Sequence, residues 1–177
     1  PNGHGGALTR LLKDDVFQQL SVRGVEHVFF FQIDNPLVNI ADPSFLGAHV
    51  QGEYEMSCKT VRKTDPTVKI GIFCNCDGVL SVVEYSELSP EDQKRRNARG
   101  DLAFCAGNVA IHLFSYEFLK RIREQGLTLP FHAIDKVTPY LARRGGQVPP
   151  KEPNTVAFES FIFDALAWSK RTLISET

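Results

Sequence analysis

Along the first forty residues the apolar positions change period. Leu8, Leu11, Leu12, Val16 and Leu20 recur at three-to-four spacing and predict a helix that Gly24 closes. VEHVFFFQI follows, apolar without interruption from Val28 to Phe31. Such a run predicts a central strand covered on both faces, as in parallel sheets. Helix then buried strand is half of a βαβ unit. The strand runs straight into Asp34, Asn35 and Pro36, which places a carboxylate where the chain leaves the sheet. In open α/β sheets ligands bind at such ends.

Further along, Asp42 and Pro43 predict the start of a short helix with Phe45, Leu46 and Val50 as its buried face. MSCKTVRKT and KIGIFCNC read as strands, and Asp77-Gly78 predicts a hairpin into the β-branched VLSVVEYSEL. Ser89-Pro90-Glu91-Asp92 reads as a helix start, and the KRRNARGD that follows as solvated surface. LAFCAGNVAIHLF predicts a strand with a polar break at 106–108, and YEFLKRIREQG an amphipathic helix closed by Gly126. Residues 127–153 are irregular and contain an exposed Pro/Gly-rich loop, LARRGGQVPPKEP, but no domain boundary. FESFIFDALAWSKRTLI predicts a last helix with Phe158, Phe161, Ile162, Ala165 and Leu166 on one stripe. The sum is one α/β domain over residues 1–177, with a mixed, largely parallel sheet and a β-hairpin insertion.

Composition narrows the function more than the fold. The 177 residues are 42% hydrophobic, enough for one sizeable core. Lys and Arg number 20 against 21 Asp and Glu, so no basic surface points to nucleic acid. No apolar run approaches the roughly 18 residues of a membrane span, and PNGHGGALTR lacks the layout of a signal peptide. A soluble cytoplasmic protein is therefore expected. Of the four cysteines only Cys74 and Cys76 are neighbours, which is neither a disulfide framework nor the paired spacing of structural zinc. Neither a G-x-S-x-G elbow nor an H-E-x-x-H helix occurs, and no spacing puts a histidine beside Cys58 or Cys105.

Four features could carry chemistry. Asp34 could hold Mg²⁺ beside a phosphate or bond a ribose, or it could accept loop amides in an Asx turn. Pro1-Asn-Gly-His-Gly-Gly6 offers unhindered amides, with Gly3 and His4 at its centre, to a base or phosphate, or is a tight turn opening a helix. Glu84 and Tyr85, neighbours on a predicted strand, point to opposite faces, so one could meet a ligand while the other packs. Asn108 could donate to a ligand carbonyl or stabilise a turn.

In order, PNGHGG, VFFFQIDNPLVNIADPSFLG, KTVRKTDP, DGVLSVVEYSELS, LAFCAGNVAIHLF, KVTPYL and FESFIFDAL resemble the UDP-N-acetylhexosamine pyrophosphorylase family over nearly the whole chain. The resemblance implies a Rossmann-like nucleotidyltransferase (GT-A-like) core. It also implies a Mg²⁺-dependent uridylyltransferase that joins UTP to a sugar 1-phosphate, usually N-acetylglucosamine 1-phosphate, and releases pyrophosphate. It assigns Asp34 to the metal and the nucleotide phosphates, Gly3 and His4 to the nucleotide, and Glu84, Tyr85, Asn108, Phe161 and Phe163 to the sugar. His4 stands where the hexosamine enzymes commonly carry Asn, which brings this loop nearer to the family's bacterial relatives. Ala157 stands where a phosphate-proximal lysine is expected. The family's upstream L-x-G-G-x-G-T-R-L-G loop and downstream E-F-S-P-x-K-N segment are not in these residues, so the chain is expected to be the middle of a catalytic domain and inactive alone. UDP-glucose or broad sugar specificity, a non-catalytic sugar-nucleotide module and an α/β interaction domain are the alternatives.

Overall fold

The computed structural model describes residues 2–143 and 145–177. Helices α1 (Gly5–Leu11) and α2 (Asp14–Val22) lead into strand β1 (His27–Phe30) and helix α3 (Pro43–Gln51). Strands β2 (Met56–Arg62), β3 (Ile72–Cys76) and β4 (Val79–Val83) precede the short α4 (Pro90–Lys94). The long β5 (Ala106–Ser115) passes directly into α5 (Tyr116–Glu124). The small strands β6 (His132–Lys136), β7 (Tyr140–Leu141), β8 (Gln147–Val148) and β9 (Thr155–Glu159) follow, then a 3-10 segment (Ile162–Trp168) and β10 (Thr172–Glu176).

The six-stranded sheet has the order β10-β2-β5-β3-β4, with β1 also on β5. The α/β class and mixed sheet hold, but the expected parallel majority does not: β10 and β2 are parallel, and every other pairing in this sheet is antiparallel. The physical reason is the connections. The Asp77-Gly78 turn, with φ of 52° and 89°, reverses β3 into β4 at once, leaving no room for a crossover helix. VFFF is apolar throughout because its faces meet two different layers. Val28 and Phe30 pack against the larger cluster, and Phe29 and Phe31 against the smaller. The run is nonetheless half-buried and pairs only with β5, so it is not a central strand.

The larger layer is formed by α1, α2, α5 and the 3-10 segment, whose Leu8, Phe17, Phe118, Leu119, Ile122 and Phe163 cover Met56, Cys58 and Phe114 of the sheet. On the other face α3 brings Phe45 onto Ile111 and Leu113. Asp42 caps α3 as expected, accepting from Ser44 N at 3.0 Å, and its other oxygen takes the buried Lys59 ammonium at 2.6 Å. The single helix expected to run up to Gly24 breaks into two. Arg123 of α5 donates to Leu12 O at 3.1 Å and pairs with Asp14, so the corner carbonyl is satisfied from outside the helix. The expected C-terminal helix is also replaced. Residues 155–159 pair with β6 instead, and Phe158 is 62% exposed on that ribbon.

Two buried histidines make stability pH-dependent. Burial, reinforced by His27, lowers the His49 pKa to about 4, and burial with a contribution from His4 lowers His112 to about 3. Both fall below the usual value near 6.5, so the unfolded chain takes up protons that the fold refuses. Their contribution is complete above pH 6.5 and is lost as the pH falls towards 4. Melting followed by circular dichroism should show Tm falling by about 5 °C or more between pH 7 and pH 5. His49→Gln, whose amide can still meet Ser57, should flatten that slope.

Candidate functional site

The site grows from a gap in the sheet. β1 pairs with β5 at residues 112–115 and β3 pairs with it at Gly107, both on the edge opposite β2. Between them β5 has no strand partner on that edge over residues 109–111. The exit of β1, the entry of β3 and the exit of β4 therefore converge there. The register of β5 against β2 slips at this point, and Ala110 adopts a φ of 53°. Asn108 supports the bulge by accepting from Ala110 N at 3.0 Å, while its own backbone N donates to Gly71 O at 2.8 Å. Its carbonyl oxygen is thus in use, and its NH₂ remains as a donor.

Glu84 follows the last residue of β4, not within the strand as expected. The chain turns at once because Glu84 N donates to Glu87 Oε2 and Glu87 N to Glu84 O, both at 2.9 Å. Its carboxylate lies beside Gly71, where a Cβ would stand 2.8 Å from Oε1. A side chain at 71 would displace it. Burial first, and then the charge of Glu87, raises the Glu84 pKa. Tyr85 is 36% exposed at the rim, its ring under Lys69 Nζ at 6.0 Å from the centroid.

The second wall joins two segments far apart in sequence, Asn2–Gly5 and Ser160–Ile162. Gly5 N donates to Ser160 O at 2.8 Å, and Ser160 returns both its N and its Oγ to Asn2 O at 3.1 and 3.0 Å. Gly3 sits between them with φ +63°, and a Cβ there would lie 2.3 Å from Ser160 O. Ile162 N donates to His4 Nδ1 at 3.0 Å. That bond assigns the neutral tautomer with the proton on Nε2, consistent with burial lowering the His4 pKa against the pull of Glu159. The ring packs 5.1 Å from Phe161, 5.6 Å from Phe163 and 6.2 Å from Phe30. Phe161 and Phe163 are themselves only 7% and 1% exposed, so they form a floor beneath His4 more than an open wall.

His132 of β6 closes the constellation. Its Nδ1 meets Glu87 Oε1 at 3.1 Å, its Nε2 meets Asp164 Oδ2 at 3.0 Å, and its ring lies 4.8 Å from Phe161. No spacing signalled this cluster, since the partners lie 45 and 32 residues away along the chain. The structure thus brings together Gly3, His4, Glu84, Asn108, Phe161 and Phe163. Asp34 stands apart from them in the exposed turn after β1. The Asx turn there belongs to Asn35, whose Oδ1 accepts from Leu37 N at 3.1 Å.

Other features do less. Cys58 does find a histidine, His112 Nδ1 at 3.1 Å, but both are fully buried and burial pushes the thiol pKa up, which makes an inert pair. A cavity of about 690 Å³ lined by His27, His49, Tyr54 and Arg121 lies at the opposite end of the sheet, where β1 begins and β5 ends. It holds none of the residues above. Among the described residues no group of three or more His, Cys, Asp or Glu is arranged to hold a metal. No helix among them is long and apolar enough to cross a membrane.

The model of a family described as UTP–glucose-1-phosphate uridylyltransferase matches residues 1–161. The chain is 39% identical over 171 residues to the human UDP-N-acetylhexosamine pyrophosphorylase-like protein 1, covering 96% of this chain and 34% of that protein. It is 34% identical over 166 residues to the Saccharomyces cerevisiae UDP-N-acetylglucosamine pyrophosphorylase, covering 93% and 35%. The solved structure of the Trypanosoma brucei UDP-N-acetylglucosamine pyrophosphorylase with an inhibitor superposes with a TM-score of 0.80 at 26% identity, covering 99% of this chain and 36% of that one. The chain thus spans about a third of the length of the curated relatives it matches. These relatives are eukaryotic, so the bacterial affinity read from His4 finds no support in them.

Proposed function

Because the chain belongs to the UTP–glucose-1-phosphate uridylyltransferase family, we propose that the protein carrying it makes UDP-N-acetylglucosamine from UTP and N-acetylglucosamine 1-phosphate. What supports this reading is the break beside β5, where Glu84 and Asn108 meet Gly71, together with the glycine-backed loop whose neutral His4 accepts from Ile162 N. The yeast relative and the Trypanosoma brucei structure are named for N-acetylglucosamine, and the human relative for N-acetylhexosamine.

In the reaction an oxygen of the sugar phosphate attacks the α-phosphorus of UTP. The bond from that phosphorus to the β-phosphate bridge breaks, and pyrophosphate leaves with the electron pair. Such chemistry asks for positioning and charge stabilisation, with no covalent nucleophile. Gly3 offers the backbone to the uracil. His4 Nε2–H replaces one N–H of the family's usual asparagine amide, so the donor is kept although the residue differs. Glu84 accepts from the sugar hydroxyls, Asn108 donates from its NH₂, Tyr85 borders the rim, and Phe161 and Phe163 lie under the sugar.

Asp34 would hold Mg²⁺. A single exposed carboxylate fits this ion, which keeps several waters and takes its other ligands from phosphates, and no all-protein cage exists among the described residues. When bound, the ion neutralises charge on the nucleotide phosphates. The deciding assay gives the full-length protein UTP and Mg²⁺ with N-acetylglucosamine, N-acetylgalactosamine or glucose 1-phosphate in parallel. Pyrophosphate release should be fastest with the first. Release fastest with glucose 1-phosphate would move the assignment to a UDP-glucose enzyme, and no release with any of them would sink it.

A further inference from the structure

Through its two ring nitrogens His132 bonds both the turn that follows β4 and the 3-10 segment. Glu87, on one of its nitrogens, belongs to the turn 84–87 that leaves β4. Asp164, on the other, belongs to the 3-10 segment that carries Phe163. A neutral imidazole has one N–H, whereas two ionised carboxylates require two donors. With both carboxylates ionised, the bridge takes the imidazolium, with both nitrogens donating.

We propose that His132 is a positioning residue of the sugar subsite, a charged clamp that ties the Glu84 turn to the 3-10 segment and so sets the carboxylate that receives the sugar hydroxyls. The proposal rests on the sugar-site assignment of Glu84. Its electrostatics are consistent from every side. Glu84 and Glu87 face the ring from the β4 exit, Asp164 from the 3-10 segment, and Glu159, itself paired with Lys136, lies across the β6–β9 ladder. Against the burial that opposes its charge, bonds to Glu87 and Asp164 raise the His132 pKa. A raised pKa means that the clamp is charged below the ordinary histidine value near 6.5 and opens as the pH climbs through the raised one. Sugar binding should then weaken on the alkaline side, while UTP binding does not follow.

The test is steady-state kinetics on the full-length protein as a function of pH. His132→Gln should raise KM for N-acetylglucosamine 1-phosphate by about tenfold, leave kcat and the KM for UTP within about twofold, and abolish the alkaline rise in sugar KM. Glu87→Gln cuts one arm at a side chain 45% exposed, where folding is not at stake, and should give a smaller rise in the same constant. This variant decides the matter if His132→Gln does not fold. Equal losses for both substrates, or an unchanged sugar KM and alkaline limb in Glu87→Gln, would overturn the proposal. Glu84→Gln separates the two layers of the argument. If it leaves sugar KM untouched, the sugar-site assignment itself fails. If it raises sugar KM while the other two variants are silent, only the clamp fails.

Discussion

Asn at position 34 should cut turnover by at least about a hundredfold at saturating substrates, the scale of removing one charge-stabilising group from a phosphoryl-type transition state. Asp34→Asn keeps the shape and the turn but removes the only charge, and Mg²⁺ prefers anionic oxygen. The residue is exposed and lies outside both hydrophobic clusters, so Tm should not move, and lost turnover cannot be ascribed to lost fold. Titrating Mg²⁺ sharpens the result. The variant should need a higher concentration of the ion for half-maximal rate, and EDTA should silence the wild type. Wild-type turnover in the variant at the same Mg²⁺ would take Asp34 out of the mechanism.

Gly3→Ala should be nearly as damaging by an unrelated route. Position 3 has φ +63°, which costs an L-residue about 1–2 kcal/mol. A Cβ would in addition stand 2.3 Å from the backbone oxygen of Ser160, which cannot swing aside as a side chain could. Together these should cost on the order of 3 kcal/mol or more, or spring the loop away from its seat. Gly24→Ala is the matched control, because its φ is +64° and nothing lies within 4 Å of the added atom. The difference between the two alanine variants in chemical denaturation therefore isolates the contact with Ser160. If both lose the same stability, the close approach is not what requires glycine at 3. Gly3→Ala should also weaken UTP binding more than sugar binding.

Local features were legible because local rules produce them. The Asp42 and Ser89 caps, the Asp77-Gly78 reversal and the end of α5 before Gly126 stand where residue chemistry put them. What periodicity could not carry was direction and partnership. VFFF signals burial on two faces, which parallel and antiparallel neighbours satisfy equally, so the parallel neighbour expected from it gave way to antiparallel pairing with β5. FESFIFDAL has an apolar stripe at helical spacing, yet pairing with β6 claims its first half and leaves Phe158 outside. At the site, the residues that lie in continuous motifs were assigned by resemblance. His132, Glu87 and Asp164 are assembled by tertiary contact, and each alone looks like ordinary surface polarity. The Asx turn that was the alternative reading of Asp34 belongs to its neighbour Asn35.

The stitch between Asn2–Gly5 and Ser160–Ile162 joins residues 158 positions apart. Contacts of such separation carry the largest loop-closure cost and form after the local hairpins and helices. During synthesis the Asn2–Gly5 loop leaves the ribosome before β9 and the 3-10 segment, and it has nothing to seat against until they emerge. Its order is therefore a late event in folding and an early loss in unfolding. Hydrogen exchange should find the amide of Gly5 opening more readily than those of β5, and UTP, by holding that seat shut, should slow its exchange without protecting the far end of the sheet.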